Sequence, residues 1–145
     1  MHTKLALFAG LFLAASAQAA EIIDVHRDAS CGCCKDWVKY LQANGFEVRD
    51  HVERNMSAVK QHLGVAPRLG SCHTGVIDGG KFIEGHVPVA QILELKQRSD
   101  LVGVAVPGMP AGSPGMDYGQ PAQAYQVIGL TADGRDVVIA DYAVP

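Results

Sequence analysis

Cys31-Gly32-Cys33-Cys34 places three thiols within four residues, and a fourth, Cys72, stands beside His73. Crowded thiolates do one of two kinds of chemistry: they bind a soft metal, or they exchange disulfides. Both need the deprotonated sulfur. Cys33 and Cys34 fall at or just before the first turn of a helix-like segment. Free backbone N–H groups and the positive end of the helix dipole favour thiolate there. Lys35 adds positive charge.

The choice of metal follows from softness and spacing. Four sulfurs suit Zn(II), Cu(I) or an iron–sulfur cluster. A structural zinc site uses paired Cys-x-x-Cys or Cys/His knuckles from separate loops. Here one compact triplet faces a single distant cysteine. Three crowded sulfurs spread poorly around one tetrahedral ion but can bridge several, since one thiolate can serve more than one Cu(I). The arrangement leans towards copper, with several ions, as Cu(I) or mixed with Cu(II).

Other soft or borderline ligands lie further along. His73 adjoins Cys72, and His86 sits in Glu84-Gly85-His86-Val87-Pro88. Imidazole suits Cu(II) as well as Cu(I) or Zn(II). For His73 a metal role is favoured; for His86 it stands level with an ordinary hydrogen-bonded histidine. Met109 and Met116 occur in two Pro-Gly-Met copies. Thioethers bind Cu(I) and form no disulfides, although each methionine alone reads equally well as packing. His26 and His51 read as ordinary strand-end residues and His62 as solvent-facing. No Ser-His-Asp set, paired catalytic carboxylates or phosphate-binding glycine loop stands out.

These residues need elements to position them. Ile22 to His26 reads as a strand, Lys35 to Asn44 as a helix with Trp37, Val38 and Leu41 on one face, and Phe46 to His51 as a second strand. Asn55 or Ser57 caps a short helix carrying Ala58, Val59 and Leu63. Val65 to Cys72 is a connection. Gly75 to Ile77 and Lys81 to Ile83 form a hairpin around Asp78-Gly79-Gly80. Pro88 opens a helix to about Arg98, with Val89, Ile92 and Leu93 inward. The order strand, helix, strand, helix, hairpin, helix predicts an α/β fold: a thioredoxin-like mixed sheet flanked by helices, with Cys-x-x-Cys opening the first helix. In that layout the loop carrying Cys72 approaches the start of the first helix. Pro107 to Gly119 is too rich in Pro and Gly for regular structure. Tyr125 to Leu130 and Val137 to Tyr142 form a C-terminal β-hairpin around Asp133-Gly134.

The N-terminus reads as a leader. The chain has 145 residues. Lys4 precedes an apolar run from Leu5 to Ala15, and Ala17-Gln18-Ala19 has the small-x-small form of a signal-peptidase site. Residues 1–19 are expected to be a cleaved signal peptide. The run is shorter than the roughly 20 residues of a spanning helix. Residues 20–145, about 126 of them, suit one domain. The chain carries 12 basic and 15 acidic residues; losing Lys4 leaves 11 against 15, a net charge of −4. A mildly acidic domain with no basic stripe argues against nucleic-acid binding. Export out of the cytosol would ordinarily mean two disulfides. Every pairing here closes a very small ring or reaches to Cys72, and such bridges are reducible.

The four segments Cys31-Gly32-Cys33-Cys34, Ser71-Cys72-His73-Thr74, Glu84-Gly85-His86-Val87-Pro88 and Val106-Pro107-Gly108-Met109-Pro110 through Gly115-Met116 come in the order seen in exported CopG-type copper-resistance proteins, which this chain resembles over nearly its whole mature length. The resemblance implies a thioredoxin-like periplasmic protein that binds copper in a cysteine-bridged cluster of several ions. By position it implies Cys31, Cys33, Cys34 and Cys72 as ligands. Storage, Cu(I)/Cu(II) conversion and handover to another periplasmic copper-handling protein remain open. Two other readings stand beside it: a thiol–disulfide oxidoreductase, supported by the Cys31/Cys34 spacing, and a zinc-stabilised module.

Overall fold

A computed structural model describes residues 18–144. The first 17 residues of the expected leader lie outside the described residues. Seven strands form one sheet: β1 (Ile22–Asp28), β2 (Glu47–Glu53), β3 (His73–Ile77), β4 (Lys81–Glu84), β5 (Leu101–Ala105), β6 (Tyr125–Thr131) and β7 (Asp136–Tyr142). Among the described residues three helices accompany them: α1 (Gly32–Ala43), α2 (Met56–His62) and α3 (Val89–Gln97), with a 3-10 turn at Pro67–Leu69. The sheet order is β2-β1-β3-β4-β5-β6-β7. β1/β2 and β4/β5 are parallel, and the other neighbours are antiparallel. This is the expected mixed α/β architecture with its terminal hairpin.

Alternation along the strands divides the core between the two faces of the sheet. Ile23, Val25, Ile83, Val104 and Val127 point to one face, where Trp37, Val38 and Leu41 of α1 and Ile92 and Leu95 of α3 cover them. Phe82, Ala105 and Leu130 point to the other, under Val65 and Leu69. The apolar face expected for α1 is therefore the buried one. Trp37 Nε1–H donates to Val87 O at 3.1 Å, and the Val89 N–H donates to Tyr40 Oη at 2.9 Å. Both bonds tie α1 to the entry of α3.

Several details differ from expectation. α1 starts at Gly32, so Cys33 and Cys34 lie within its first turn and Cys31 is its N-cap. Asn55, not Ser57, caps α2, its side chain accepting from the Ala58 N–H at 3.1 Å. Pro88 is the N-cap of α3 rather than a residue of its first turn. Leu93 is 47% exposed instead of inward. Leu95, three residues after Ile92, takes the inward place on this face, and the helical repeat turns Leu93 outward. β5 was not expected at all. Leu101-Val102-Gly103-Val104-Ala105 runs parallel to β4 with α3 as the crossover, and its apolar run shows no alternation because nearly all of it is covered.

Gly103 lies opposite Phe82 in the β4/β5 register. A Cβ added there would meet the Phe82 ring at 2.4 Å. Gly103→Ala is expected to overpack this face and lower unfolding free energy by about 1–3 kcal/mol. Urea denaturation of the purified protein checks it; an unchanged midpoint contradicts it.

Candidate metal centre

The chain brings three segments to the N-terminus of α1. The first is α1 itself, with Cys31 as its N-cap and Cys33 and Cys34 in its first turn. The second is Ser71-Cys72-His73, leading into β3. The third is Gly85-His86, just after β4. Gly85 has φ +77°, and a Cβ there would lie 2.6 Å from Val106 O and 2.7 Å from the Ser71 side chain. Only glycine lets these segments close on one another. The loop following β5 then crosses the site. The Gly108 N–H donates to Gly70 O at 3.1 Å, and the Ser71 hydroxyl donates to Gly108 O. Tyr118 Oη–H donates to Asp36 Oδ2 at 2.6 Å. This bond draws the Asp36 carboxyl below the ordinary aspartate range and pushes the Tyr118 hydroxyl up to about 12.

All four cysteine sulfurs lie within 4.8 Å of one another. Cys31 and Cys34 are joined by a disulfide, and Cys33 and Cys72 are free thiols. The small ring set aside as the lesser reading is therefore present in this state of the protein. Reducing it would return the triplet of thiols anticipated from the sequence. Cys33 Sγ is 3.6 Å from Cys31 Sγ and 3.8 Å from Cys72 Sγ. Met109 is half-exposed, and its Sδ lies 4.0 Å from Cys33 Sγ. Among the described residues Met116 makes no such contact; its backbone N–H donates to Ser113 O at 2.9 Å.

A second group overlaps the first at Cys72. Cys72 Sγ lies 3.2 Å from His73 Nδ1 and 3.3 Å from His86 Nε2. The tautomers follow from the opposite edges of the rings. His73 Nε2 faces Gly85 O at 2.9 Å, and His86 Nδ1 faces Pro114 O at 2.8 Å. A carbonyl oxygen only accepts, so each of these nitrogens carries its ring's proton. His73 Nδ1 and His86 Nε2 are then bare lone pairs aimed at one sulfur. Both histidines are fully buried, and burial, first, holds both below the ordinary imidazole range, His73 well below it. The charge of His86 lowers His73 further, and the bond to Gly85 opposes the shift. Burial, and after it the neighbouring Cys33, pushes the Cys72 thiol up to about 12. One thiol proton cannot serve two lone pairs at once. A cation replacing that proton would satisfy sulfur and both nitrogens together, so the residues fit a metal ion. The donor set is soft sulfur with imidazole, which suits copper or zinc.

The sequence did not single out the groups that frame these ligands. The Trp37 ring lies against His73 with centroids 4.4 Å apart, although the tryptophan reads from its helical spacing as core alone. Glu84, Lys60 and Thr74 sit behind Cys72 and His73. Glu84 was within reach, since it opens the segment that carries His86; nothing in the sequence marks Lys60. His26 and His51 are apart from the site, bonded at 2.7 Å to Glu53 and Asp24 respectively, and His62 is exposed.

Two outcomes are expected of the metal-free protein. In the oxidised form only Cys33 and Cys72 can be alkylated. At pH 8 a thiol with a pKa raised from 9.0 to about 12 is thiolate about a thousandfold less often, partly offset by greater nucleophilicity. Cys72 should react with iodoacetamide on the order of tens-fold more slowly than a peptide thiol, read by peptide mass spectrometry; parity contradicts this. His73 should stay neutral in an NMR titration well below the pH at which an ordinary histidine takes up its proton. The sign follows from its lowered pKa: the unfolded chain binds a proton below about 6.5 and the folded chain does not. The stability His73 contributes is present above that pH and is lost as pH falls, at up to about 1.4 kcal/mol per pH unit. A His73 ring already protonated at pH 6 contradicts the assignment.

Residues 69–116, which hold Cys72, both buried histidines and both Pro-Gly-Met copies, match a family described as "Protein of unknown function, DUF411". No curated protein matches the chain. Two solved structures do, both of a copper resistance protein CopG. One, termed form 2, is 67% identical with a TM-score of 0.82, over 85% of this chain and 98% of that one. The other, form 1, is 66% identical with a TM-score of 0.82, over 86% and 98%. Identity of two thirds along nearly the full length of those proteins goes with a shared fold and a shared descent, and the chain belongs to the CopG copper-resistance protein family.

Proposed function

We propose that this chain is an exported, periplasmic copper-binding protein that contributes to copper resistance by taking Cu(I) onto Cys31, Cys33, Cys34 and Cys72. The observation that carries the reading is the meeting, at Cys72, of a group of four sulfurs with a group of one sulfur and two deprotonated imidazole nitrogens, the ligand atoms of each group lying within 4.8 Å of one another. Copper, rather than zinc, is taken from the name of the solved relatives. Crowding of the sulfurs favours several ions bridged by shared thiolates. His73 and His86 complete the inner side of the site, and Met109 lies at its mouth. Met116 is kept as a ligand only for a rearranged loop. Nitrogen and sulfur donors together accommodate both Cu(I) and Cu(II), so conversion between them, or handover to a copper-handling partner, fits the same site. Export to the periplasm is read from residues 1–19, with residues 20–145 as the copper-binding domain. Among the described residues no helix is long and apolar enough to cross a membrane.

Loading all four sulfurs requires opening the Cys31–Cys34 disulfide. The step consumes two electrons and two protons and yields two thiols, so a dithiol reductant, itself oxidised to a disulfide, balances it. The disulfide also supports the second reading, a thioredoxin-like thiol–disulfide oxidoreductase. Against that reading, Cys33 competes for any mixed disulfide at 3.6 Å from Cys31 Sγ.

Anaerobic reconstitution of reduced protein with Cu(I) tests the proposal. More than one copper per chain is expected, falling in Cys33→Ser and Cys72→Ser, and falling also when the disulfide is left intact. Less than one copper per chain, or binding indifferent to those substitutions, would overturn it. Insulin reduction by metal-free protein that persists without Cys33 and Cys72 would favour the oxidoreductase.

A further inference from the structure

Glu84 ends β4, two residues before His86, and is fully buried. A carboxylate without water is costly unless its oxygens are paired. Here Oε1 accepts from Lys60 Nζ and, at 2.7 Å, from the Ser71 N–H, and Oε2 accepts from the Thr74 hydroxyl at 2.5 Å. Lys60 Nζ also donates to Thr74 Oγ1 at 3.0 Å. Ser71 and Thr74 bracket Cys72 and His73. The backbone running on from Glu84 pairs with the same segment, the Gly85 N–H donating to His73 O at 3.0 Å. Glu84 O in turn accepts from the Val106 N–H at 2.9 Å, where the crossing loop begins. One side chain thus fastens the segments that carry Cys72, His73 and His86.

Lys60 comes from α2, which has no buried residue of its own. That helix places a cation beneath the site while adding little to the core. Burying an ion pair is weak support for a fold: apolar replacements of similar volume are often neutral or stabilising.

We propose that the buried Lys60–Glu84 pair is a positioning device for the metal centre, holding Cys72, His73 and His86 at their mutual spacing through Ser71 and Thr74 before any ion arrives. The proposal rests on the copper reading of this site and adds Lys60, Glu84 and Thr74, which hydrogen-bond to none of its ligating atoms; Ser71 does, its hydroxyl lying 3.8 Å from Cys72 Sγ.

Three variants of the full chain test it, each followed by thermal midpoint, by the imidazole ring nitrogen shifts of His73 and His86 without metal, and by Cu(I) retention against a chromophoric chelator. Lys60→Met with Glu84→Leu removes the pair and keeps its bulk. It is expected to keep the thermal midpoint, move the ring shifts and weaken retention by about 10–100-fold, the usual range for groups that orient ligands. Lys60→Met with Glu84→Gln keeps an acceptor for Ser71 and a hydrogen bond to Thr74, and is expected to recover most of the retention. Thr74→Val cuts one fastening and should fall between them; if the apolar pair does not fold, this variant decides by the same readouts. A folded apolar pair with wild-type ring shifts and retention overturns the proposal. So does a loss that follows the thermal midpoint alike in every variant. Wild-type protein that retains no Cu(I) would instead defeat the copper reading, and the metal-free ring shifts would still decide the positioning role.

Discussion

A single thiol proton faces two imidazole lone pairs, and the site is built around that imbalance. His73 Nδ1 and His86 Nε2 both point at Cys72 Sγ, at 3.2 and 3.3 Å. Neither ring can turn its protonated edge inward without abandoning a backbone carbonyl, Gly85 O or Pro114 O. The two carbonyls come from different places, one from the end of the β3–β4 hairpin and one from the loop after β5. The sheet and the loop must both be formed before the lone pairs converge. A water-filled cleft would relieve the imbalance by solvating one nitrogen. Burial of both rings removes that escape and leaves a cation as the partner that satisfies all three atoms.

The scaffold supports this with groups that bind nothing themselves. The face of Trp37 against His73 gives the ring an apolar wall, and the indole N–H is used on Val87 O rather than on the site. α1 is thereby held both to the imidazole and to the segment following His86, with its first-turn cysteines over the same point. On the far side, Glu84 gathers Lys60, Ser71 and Thr74 behind Cys72. The polar atoms that order the ligands are satisfied within the protein and do not compete for the ion. This outer layer fixes tautomer and spacing, which ligand identity alone does not.

Much of the fold was legible because its elements follow simple periodicities. The Trp37-Val38-Leu41 stripe, the Asp78-Gly79-Gly80 turn and the hairpin around Asp133-Gly134 all have local causes. β5 lacked one: a covered parallel strand carries neither alternation nor a turn signal, and only its place beside β4 defines it. The ligands were legible by chemical type, since thiols in a triplet and a Cys-His pair are conspicuous anywhere. What joins them was not. Lys60 reaches Glu84 across 24 residues of sequence and Tyr118 reaches Asp36 across 82, and no local pattern reports such bonds. The separation of Met109 from Met116 was equally hidden, because two identical tripeptides differ only in where the loop folds them.

Cys33 shows why the disulfide and the metal reading belong to one architecture. It lies between the Cys31–Cys34 bridge and Cys72, 3.6 Å from one and 3.8 Å from the other, with the Met109 thioether 4.0 Å away. In the oxidised state it is the only sulfur of the triplet left to join the Cys72–His73–His86 group. That state offers two thiols and two imidazoles, a borderline donor set. Opening the bridge adds two sulfurs and makes the set predominantly soft. The same central thiol that would disturb a clean disulfide exchange therefore stands between the bridge and Cys72, the sulfur on which both imidazoles converge. On the proposed copper reading, a two-electron reduction of the Cys31–Cys34 bridge would shift the donor set towards the sulfur that Cu(I) prefers.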